Sequence, residues 1–290
     1  MLKFALFGNV YQHEKSSAIR LLLEVLHQHN AQIFIDEEYF NFLHQSGLVE
    51  DGEVQTFTGS HFEADFAISM GGDGTLLRTA SRVGRKQTPI IGVNMGRLGF
   101  LADVSAADIK AGIDAVSEGD YSLEDRSVIL VETNGEPIQG SPCALNDVAI
   151  LKRDTASMIS IRTSINGEYL TTYQADGLIA STPTGSTAYS LSNGGPIIVP
   201  RTGVLLLTPV APHSLNVRPI VIPDTSQIEV TVSSRSHTFL VGIDGRSSKL
   251  PEGTTLRLRR APYVARIVKR SGTRYFATLR EKLMWGADVR

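Results

Sequence analysis

The feature that most restricts this chain is a change of pattern near residue 122. Before it, short apolar runs alternate with stretches of helical period. Lys3 to Gly8 reads as a buried strand, Ser16 to His29 sets Ile19, Leu22, Leu23 and Leu26 on one helical face, and Ala31 to Ile35 is a second strand. Ser16 and Ser17 are available to cap that helix. Asp65 to Met70 leads into Gly71-Gly72-Asp73-Gly74-Thr75, then a helix-like run from Leu76 to Val83 and the apolar strand Pro89 to Asn94. Strand, crossover helix and strand in that order predict a parallel sheet with helices on its faces.

After residue 122 the helical period disappears. Ser127 to Thr133, Ala144 to Leu151, Met158 to Ile165, Tyr169 to Tyr173, Gly177 to Ser181, Ile228 to Val232, Thr238 to Ile243 and Thr255 to Arg259 read as short strands separated by turn residues. Asn166-Gly167 is the clearest hairpin signal, because both residues tolerate the positive φ of a type I′ turn. The expectation is an α/β domain over residues 1–122 and an all-β domain over 123–272. A tail helix from Thr278 to Met284, within 273–290, is expected to return to the first domain, with Trp285 as a packing anchor.

Composition narrows the class of partner. With 42% apolar and 20% charged residues in 290, the chain has enough apolar content to offset ordering entropy and is not mainly disordered. A net charge of −2 removes the simplest argument for nucleic acid, which asks for a basic excess. A single cysteine, Cys143, excludes an internal disulfide and favours a reducing compartment. The apolar stretch in MLKFALFG is too short for a signal peptide, and no window approaches the about 20 apolar residues of a membrane span. The expected location is the cytoplasm, away from membranes. Seven histidines include no i, i+4 pair and no Cys partner, which argues against zinc. Arg257, Arg259, Arg260, Arg266, Lys269 and Arg270 interleave with apolar residues and read as a solvated sheet face.

Three motifs carry chemistry. In Gly71 to Thr75 the glycines allow a phosphate chain to approach main-chain amides, and the helix start that follows offers unpaired N–H groups. The loop is neither a Walker A motif nor a dinucleotide fingerprint, since Leu77 holds the third glycine position. Asp73 in its centre is unfavourable beside polyphosphate unless it takes a proton, holds a cation or accepts from hydroxyls. An ordinary turn with Asp73 as a cap stays open as the alternative. The run Ser181 to Pro196, dense in hydroxyls and small residues, offers donors, close backbone approach and one aromatic, Tyr189, able to stack on a base. Its alternative is a loop bonded only to itself and to water. Asn146-Asp147 can hold vicinal ribose hydroxyls or form an Asx turn.

Taken together, GGDGT, Asn146-Asp147 and DGLIASTPTGSTAYSLSNGGPI closely resemble the motifs of bacterial NAD kinases. The likeness extends through VNMGRLGFL (Val93 to Leu101), APHSL (Ala211 to Leu215) and VGIDG (Val241 to Gly245). GGDGT alone is shared with diacylglycerol kinase-like and phosphofructokinase-like enzymes; the long Thr/Ser/Gly/Tyr motif is far more specific. The resemblance implies a Rossmann-like α/β amino-terminal domain and an all-β carboxyl-terminal domain, with the active site in the crevice between them. It implies transfer of the terminal phosphoryl of ATP, in some members of another nucleotide or polyphosphate, to the 2′-hydroxyl of the adenosine ribose of NAD, giving NADP. Magnesium is expected to arrive through the ATP phosphates, and the assembly is expected to be a homo-oligomer, dimer or tetramer.

By the same resemblance Asp73 is the proton acceptor, and Gly72, Gly74, Thr75, Arg78 and Asn94 serve the nucleotide sites. Asn146 and Asp147 hold the adenosine part of NAD. Thr184, Thr187, Ala188, Tyr189, Ser190, Leu191 and Ser192 line its pocket, and Asp176 and Ala211 approach the nicotinamide half. Three positions depart from the family habit: Asp147 where Glu is frequent, Gln174 where Arg is frequent, and Arg246 where Gln is common. They are expected to alter substrate preference more than reaction type. A lipid or sugar kinase on the same phosphate loop, and a non-catalytic NAD sensor, are the competing readings.

Overall fold

In the computed structural model the alternating half of the chain forms an eight-stranded sheet, and the half rich in short strands forms two sheets of six. The structure describes residues 1–10, 16–50, 52–96, 99–102, 104–154, 157–270 and 275–286. The chain divides into one unit of Met1–Asp125 with Ala265–Arg290 and a second of Arg126–Val264.

In the first unit β1 (Lys3–Gly8), β2 (Gln32–Asp36), β3 (Gln55–Phe57), β4 (Phe66–Gly71) and β5 (Ile90–Asn94) lie in the spatial order β3-β2-β1-β4-β5, each neighbouring pair parallel. The order reverses between β1 and β4, so connections leave in opposite directions there and open a crevice at the carboxyl ends of these strands. Helix α1 (Ser16–Gln28) buries Ile19, Leu22, Leu23 and Leu26, the face its period predicts. The polar segment after Ile35 contains α2 (Glu37–Gln45), absent from the sequence reading because its apolar stripe, Tyr39, Phe42 and Leu43, is narrow. Helix α3 (Asp73–Val83) begins at Asp73 rather than Leu76, so Asp73, Gly74 and Thr75 form its first turn.

The chain returns to this sheet at its far end. Ala265–Arg270 pairs in parallel with β5, Ile267 opposite Ile90, and is followed in the sheet by Tyr121–Arg126. Ala265–Arg270, expected in the second domain, belongs to the first unit, as do residues 123–125. A short alternating run looks the same in either sheet. The tail helix spans Tyr275–Leu283 in this unit and buries Leu279, whereas Trp285 is 57% exposed and does not anchor packing. Residues 273, 274 and 287–290 of the expected tail lie outside the described residues.

Where β5 passes α3 the packing leaves no room for a side chain. A Cβ added at Gly92 would lie 2.7 Å from Leu76 Cδ1 and 2.8 Å from the Ala102 Cα. Overpacking of this kind costs about 1–3 kcal/mol, so Gly92→Ala is expected to lower the chemical denaturation midpoint accordingly. An unchanged midpoint would mean that α3 and the Ala102 backbone yield freely.

In the second unit every pairing is antiparallel. One sheet runs Ile220–Pro223, Val204–Val210, Gly177–Ser181, Asp147–Lys152, Thr238–Ile243 and Arg246–Pro251. The other runs Glu168–Ala175, Ile159–Ile165, Ile228–Ser233, Thr255–Arg260, Ile129–Thr133 and Cys143–Ala144. Inward residues of both sheets, among them Val148, Ile150 and Val241 from one and Ile161, Val230 and Leu258 from the other, form one core. Asn166 (φ 53°) and Gly167 (φ 84°) turn the predicted hairpin. The basic face is paired with acids: Arg257 with Glu229, Arg259 with Glu132 and Arg260 with Asp224 in this unit, Arg266 with Asp125 and Arg270 with Asp108 in the first. Among the described residues no helix is long and apolar enough to cross a membrane.

Candidate active site

Gly71 to Thr75 occupies the end of β4 and the first turn of α3. Gly71 is required by packing, since an added Cβ would lie 2.2 Å from Thr75 Oγ1. Gly72 and Gly74 are different. A Cβ on either meets nothing within 4 Å, and neither has a positive φ. Neither packing nor backbone demands glycine there, and the missing side chains leave open the helix start, where amides lack intrahelical acceptors. Thr75 is buried, Arg78 is exposed one turn further along α3, and buried Asn94 ends β5 with Oδ1 accepting from Gly96 N at 2.8 Å.

Asp73 carries main-chain contacts that the sequence does not announce. The sequence reading aimed its carboxylate at an acceptor hydroxyl; here both oxygens accept main-chain N–H groups. Oδ2 accepts from Phe100 at 2.6 Å, and Oδ1 from Leu101 and Ala102 at 3.0 and 3.1 Å. Gly99 stands against the same group, since its added Cβ would lie 1.9 Å from Oδ1. Among the described residues Oδ2 has a single donor, which leaves one acceptor direction of the carboxylate open.

In the second unit three segments distant in sequence meet at Leu145–Asp147. Asp244 Oδ2 accepts from Leu145 N at 2.7 Å, and its Oδ1 accepts from Asn146 N at 2.8 Å and Asp147 N at 3.2 Å. From the other side Thr182 Oγ1 donates to Leu145 O at 2.6 Å, and Thr182 N donates to Asn146 O at 2.9 Å. Gly185 packs so closely that its Cβ would lie 2.2 Å from Asn146 O. With this backbone satisfied, Asn146 Oδ1 is buried without a hydrogen-bond partner among the described residues. Asp147, 8% exposed, opens the strand beside Ser181. Burial pushes its carboxyl up to about 7, and the Asp244 charge adds to the rise. Burial raises Asp244 as well, opposed by its three amide donors and by Arg246.

The hydroxyl-rich run is more inward than its composition led us to expect. Thr182, Thr184, Ser186 and Ser190 are buried and satisfied within the fold. Thr184 Oγ1 accepts from Arg126, Ser186 Oγ donates to Pro183 O, and Ser190 Oγ pairs with Thr208 Oγ1 at 2.8 Å. Thr187, Ala188 and Leu191 are half-buried, and Tyr189 and Ser192 are exposed. The outward part of the motif is thus Thr187 to Ser192 without Ser190, and Thr184 and Ser190 hold its scaffold.

Of the remaining predicted positions, Asp176, Gln174 and Ala211 lie along neighbouring strand ends, apart from Arg246. Asp176 pairs with Lys152 at 2.7 Å, Gln174 Oε1 accepts from Ser160 Oγ, and Gln174 O accepts from His213 N. Exposed Ala211 has φ 42°, a left-handed conformation uncommon for a residue with a Cβ. Arg246 donates to Cys143 O at 3.1 Å and to Ile243 O, joining the brace under Leu145–Asp147.

Known proteins share both halves. Residues 5–121 match the ATP-NAD kinase N-terminal domain, and residues 145–270 match the ATP-NAD kinase C-terminal domain. An NAD kinase of Bacteroides fragilis is 54% identical over the full length of both chains, and one of Porphyromonas gingivalis is 44% identical, also over both full lengths. The chain belongs to the ATP-NAD kinase family. Its fold is that of the yeast NADH kinase complexed with NADH, with a TM-score of 0.90 at 22% identity, over 100% of this chain and 89% of that one. An NAD kinase from Archaeoglobus fulgidus in complex with ATP aligns with a TM-score of 0.75 at 25% identity, over 98% and 99% of the two chains.

In this family member the amino-terminal match contains the Asp73 loop, and the carboxyl-terminal match begins at Leu145, the first residue of the braced segment. Thr182 and Asp244 both lie in motifs singled out from the sequence, the Ser181 to Pro196 run and VGIDG, but the sequence assigns neither a role of its own. Asp244-Gly245 carried a local signal, an Asp-Gly pair between apolar runs, but that signal speaks only of a turn.

Proposed function

We propose that the chain phosphorylates NAD on the 2′-hydroxyl of its adenosine ribose at the expense of ATP. The observation that carries this reading is the braced segment, which leaves Asn146 Oδ1 buried and unpaired beside the Asp147 carboxyl. Two acceptors on a fixed backbone suit a pair of vicinal hydroxyls. Tyr189, exposed nearby in the motif, offers a ring for the adenine, and Asp176 and Ala211 serve the nicotinamide half. Gly72 and Gly74 give the triphosphate access to the start of α3, and Arg78 supplies a cation one turn along.

In the transfer, O2′ bonds to the terminal phosphorus as the bond to the bridging oxygen breaks, and the O2′ proton passes to Asp73. In a loose transfer that proton leaves late, so aiming the hydroxyl contributes more than basicity. The occupied carboxylate favours a second duty for Asp73, holding Phe100–Ala102 in place. Among the described residues no group of three or more His, Cys, Asp or Glu could cage a metal. By the resemblance magnesium would enter on the ATP phosphates and would supply charge neutralisation there. A homo-oligomer in the reducing cytoplasm completes the reading, from the resemblance and the single Cys143.

Incubation with NAD, ATP and magnesium, followed by an NADP assay, tests this. NADP formation dependent on both substrates is expected. Binding of NAD without turnover would make the chain a sensor, and ATP consumption only with a lipid or sugar would make it another kinase.

A further inference from the structure

Asp244 sits in a left-handed conformation (φ 47°) and with Gly245 (φ 80°) turns the hairpin between Thr238–Ile243 and Arg246–Pro251. An aspartate in such a turn commonly bonds its own loop. Here the carboxylate crosses to the neighbouring strand entrance and takes three successive main-chain N–H groups, those of Leu145, Asn146 and Asp147. Asp244 N donates in return to Asp147 O at 3.1 Å. Thr182 holds the carbonyls of Leu145 and Asn146 from the opposite side, and Gly185 closes the space beyond them. No main-chain polar group of Asn146 is left to rearrange, and its side-chain oxygen is the part without a partner.

We propose that Asp244 is the positioning residue of the acceptor half-site, fixing the Leu145–Asp147 backbone so that Asn146 and Asp147 meet the ribose hydroxyls in one geometry. The inference rests on the reading that those two residues hold the ribose of NAD. A carboxylate is needed because three donors converge on two oxygens. An amide keeps one acceptor oxygen and sets N–H against N–H at either Leu145 or Asn146. Displacing a binding group by about 1 Å costs on the order of a hundredfold in rate, so the effect falls on use of NAD.

The charge has a second consequence, readable separately. Asp147 faces Asp244 across the turn, with Arg246 behind Asp244; the strand on its other side presents the neutral Ser181 and Thr182. Removing the Asp244 charge lowers the pH at which Asp147 ionises.

The experiment compares Asp244→Asn, Asp244→Glu and Asn146→Ala in steady-state kinetics over a pH series, with thermal melts to confirm folding. For Asp244→Asn the KM for NAD is expected to rise roughly tenfold to a hundredfold while the KM for ATP holds. The acid limb of kcat/KM for NAD is expected to move to lower pH, a displacement that a merely structural role would not produce. Asp244→Glu keeps the charge and is expected to recover part of the loss. An unchanged KM for NAD and an unmoved acid limb in Asp244→Asn, with Asn146→Ala impaired, overturn the positioning role. An unimpaired Asn146→Ala overturns the ribose reading on which it rests. Should Asp244→Asn fail to fold, Asp244→Glu decides: a displaced backbone raises the KM for NAD, and a KM equal to that of the unmodified chain overturns the proposal.

Discussion

Asp73→Asn is expected to lower kcat by about a hundred- to ten-thousandfold, the span typical of a lost proton acceptor. The substitution keeps size and polarity, so α3 still begins at residue 73. It removes the charge and one acceptor, and it turns an NH2 toward one of the amides of Phe100, Leu101 or Ala102. The two duties proposed for Asp73 separate in the measurements. Loss of proton acceptance alone lowers kcat with NAD binding, measured by calorimetry, left intact. Loss of the loop contact also lowers the melting temperature and raises the KM of a substrate. A near-normal kcat would remove proton acceptance from the mechanism, and an unchanged melting temperature and KM would remove the loop contact.

Asp147→Asn is expected to stabilise the protein at alkaline pH while weakening its use of NAD. The folded carboxyl ionises at about 7 against 3.8 unfolded. Between those values the folded chain holds a proton that the unfolded chain has lost, so stability falls as pH rises, and the full penalty is present above about 7. At 1.36 kcal/mol per pKa unit the penalty is at most about 4 kcal/mol. Replacing the acid by its amide removes it, so the gain in unfolding free energy is expected at pH 8 and is expected to vanish near pH 4. In the unmodified chain kcat/KM for NAD is expected to fall as pH drops below about 7, because a protonated Asp147 loses its strength as a hydroxyl acceptor. Asp147→Asn is expected to be low and flat in that range. A stability difference independent of pH would show that Asp147 is ionised throughout.

How much of this was legible in the sequence depended on whether each signal was local. Lys3–Gly8 and Ser16–Gln28 declared themselves by period, because each buries one defined face against a single core. Val204–Val210 did not. Five of its seven residues are buried on both faces, so the run shows no alternation to set it apart from an apolar loop. Asn166-Gly167 and Asp244-Gly245 carry the same turn chemistry, yet only the structure shows the second carboxylate reaching residues 97 to 99 positions away. The hydroxyl run misled in the opposite sense. Its composition argued for exposure, but Ser186 and Ser190 satisfy their hydroxyls internally and bury fully. GGDGT announces a glycine turn leading into a helix, whereas the amides that occupy Asp73 come from a segment whose partners no short pattern encodes.

The return of Ala265–Arg270 to the sheet of the amino-terminal unit makes the all-β half an insertion in the middle of a strand order. Stopping translation at residue 125 would strip the strand that begins at Tyr121 of its neighbour and leave the Ile90 end of Ile90–Asn94 with unfilled main-chain donors and acceptors, a template for self-association, while Val104–Ser105 still covers Val93 and Asn94. The two halves are therefore not beads on a string. Synthesis of the first unit cannot finish until the ribosome has delivered the whole of the second, and a stand-alone α/β half has to be built by splicing residue 125 to 265, not by truncation.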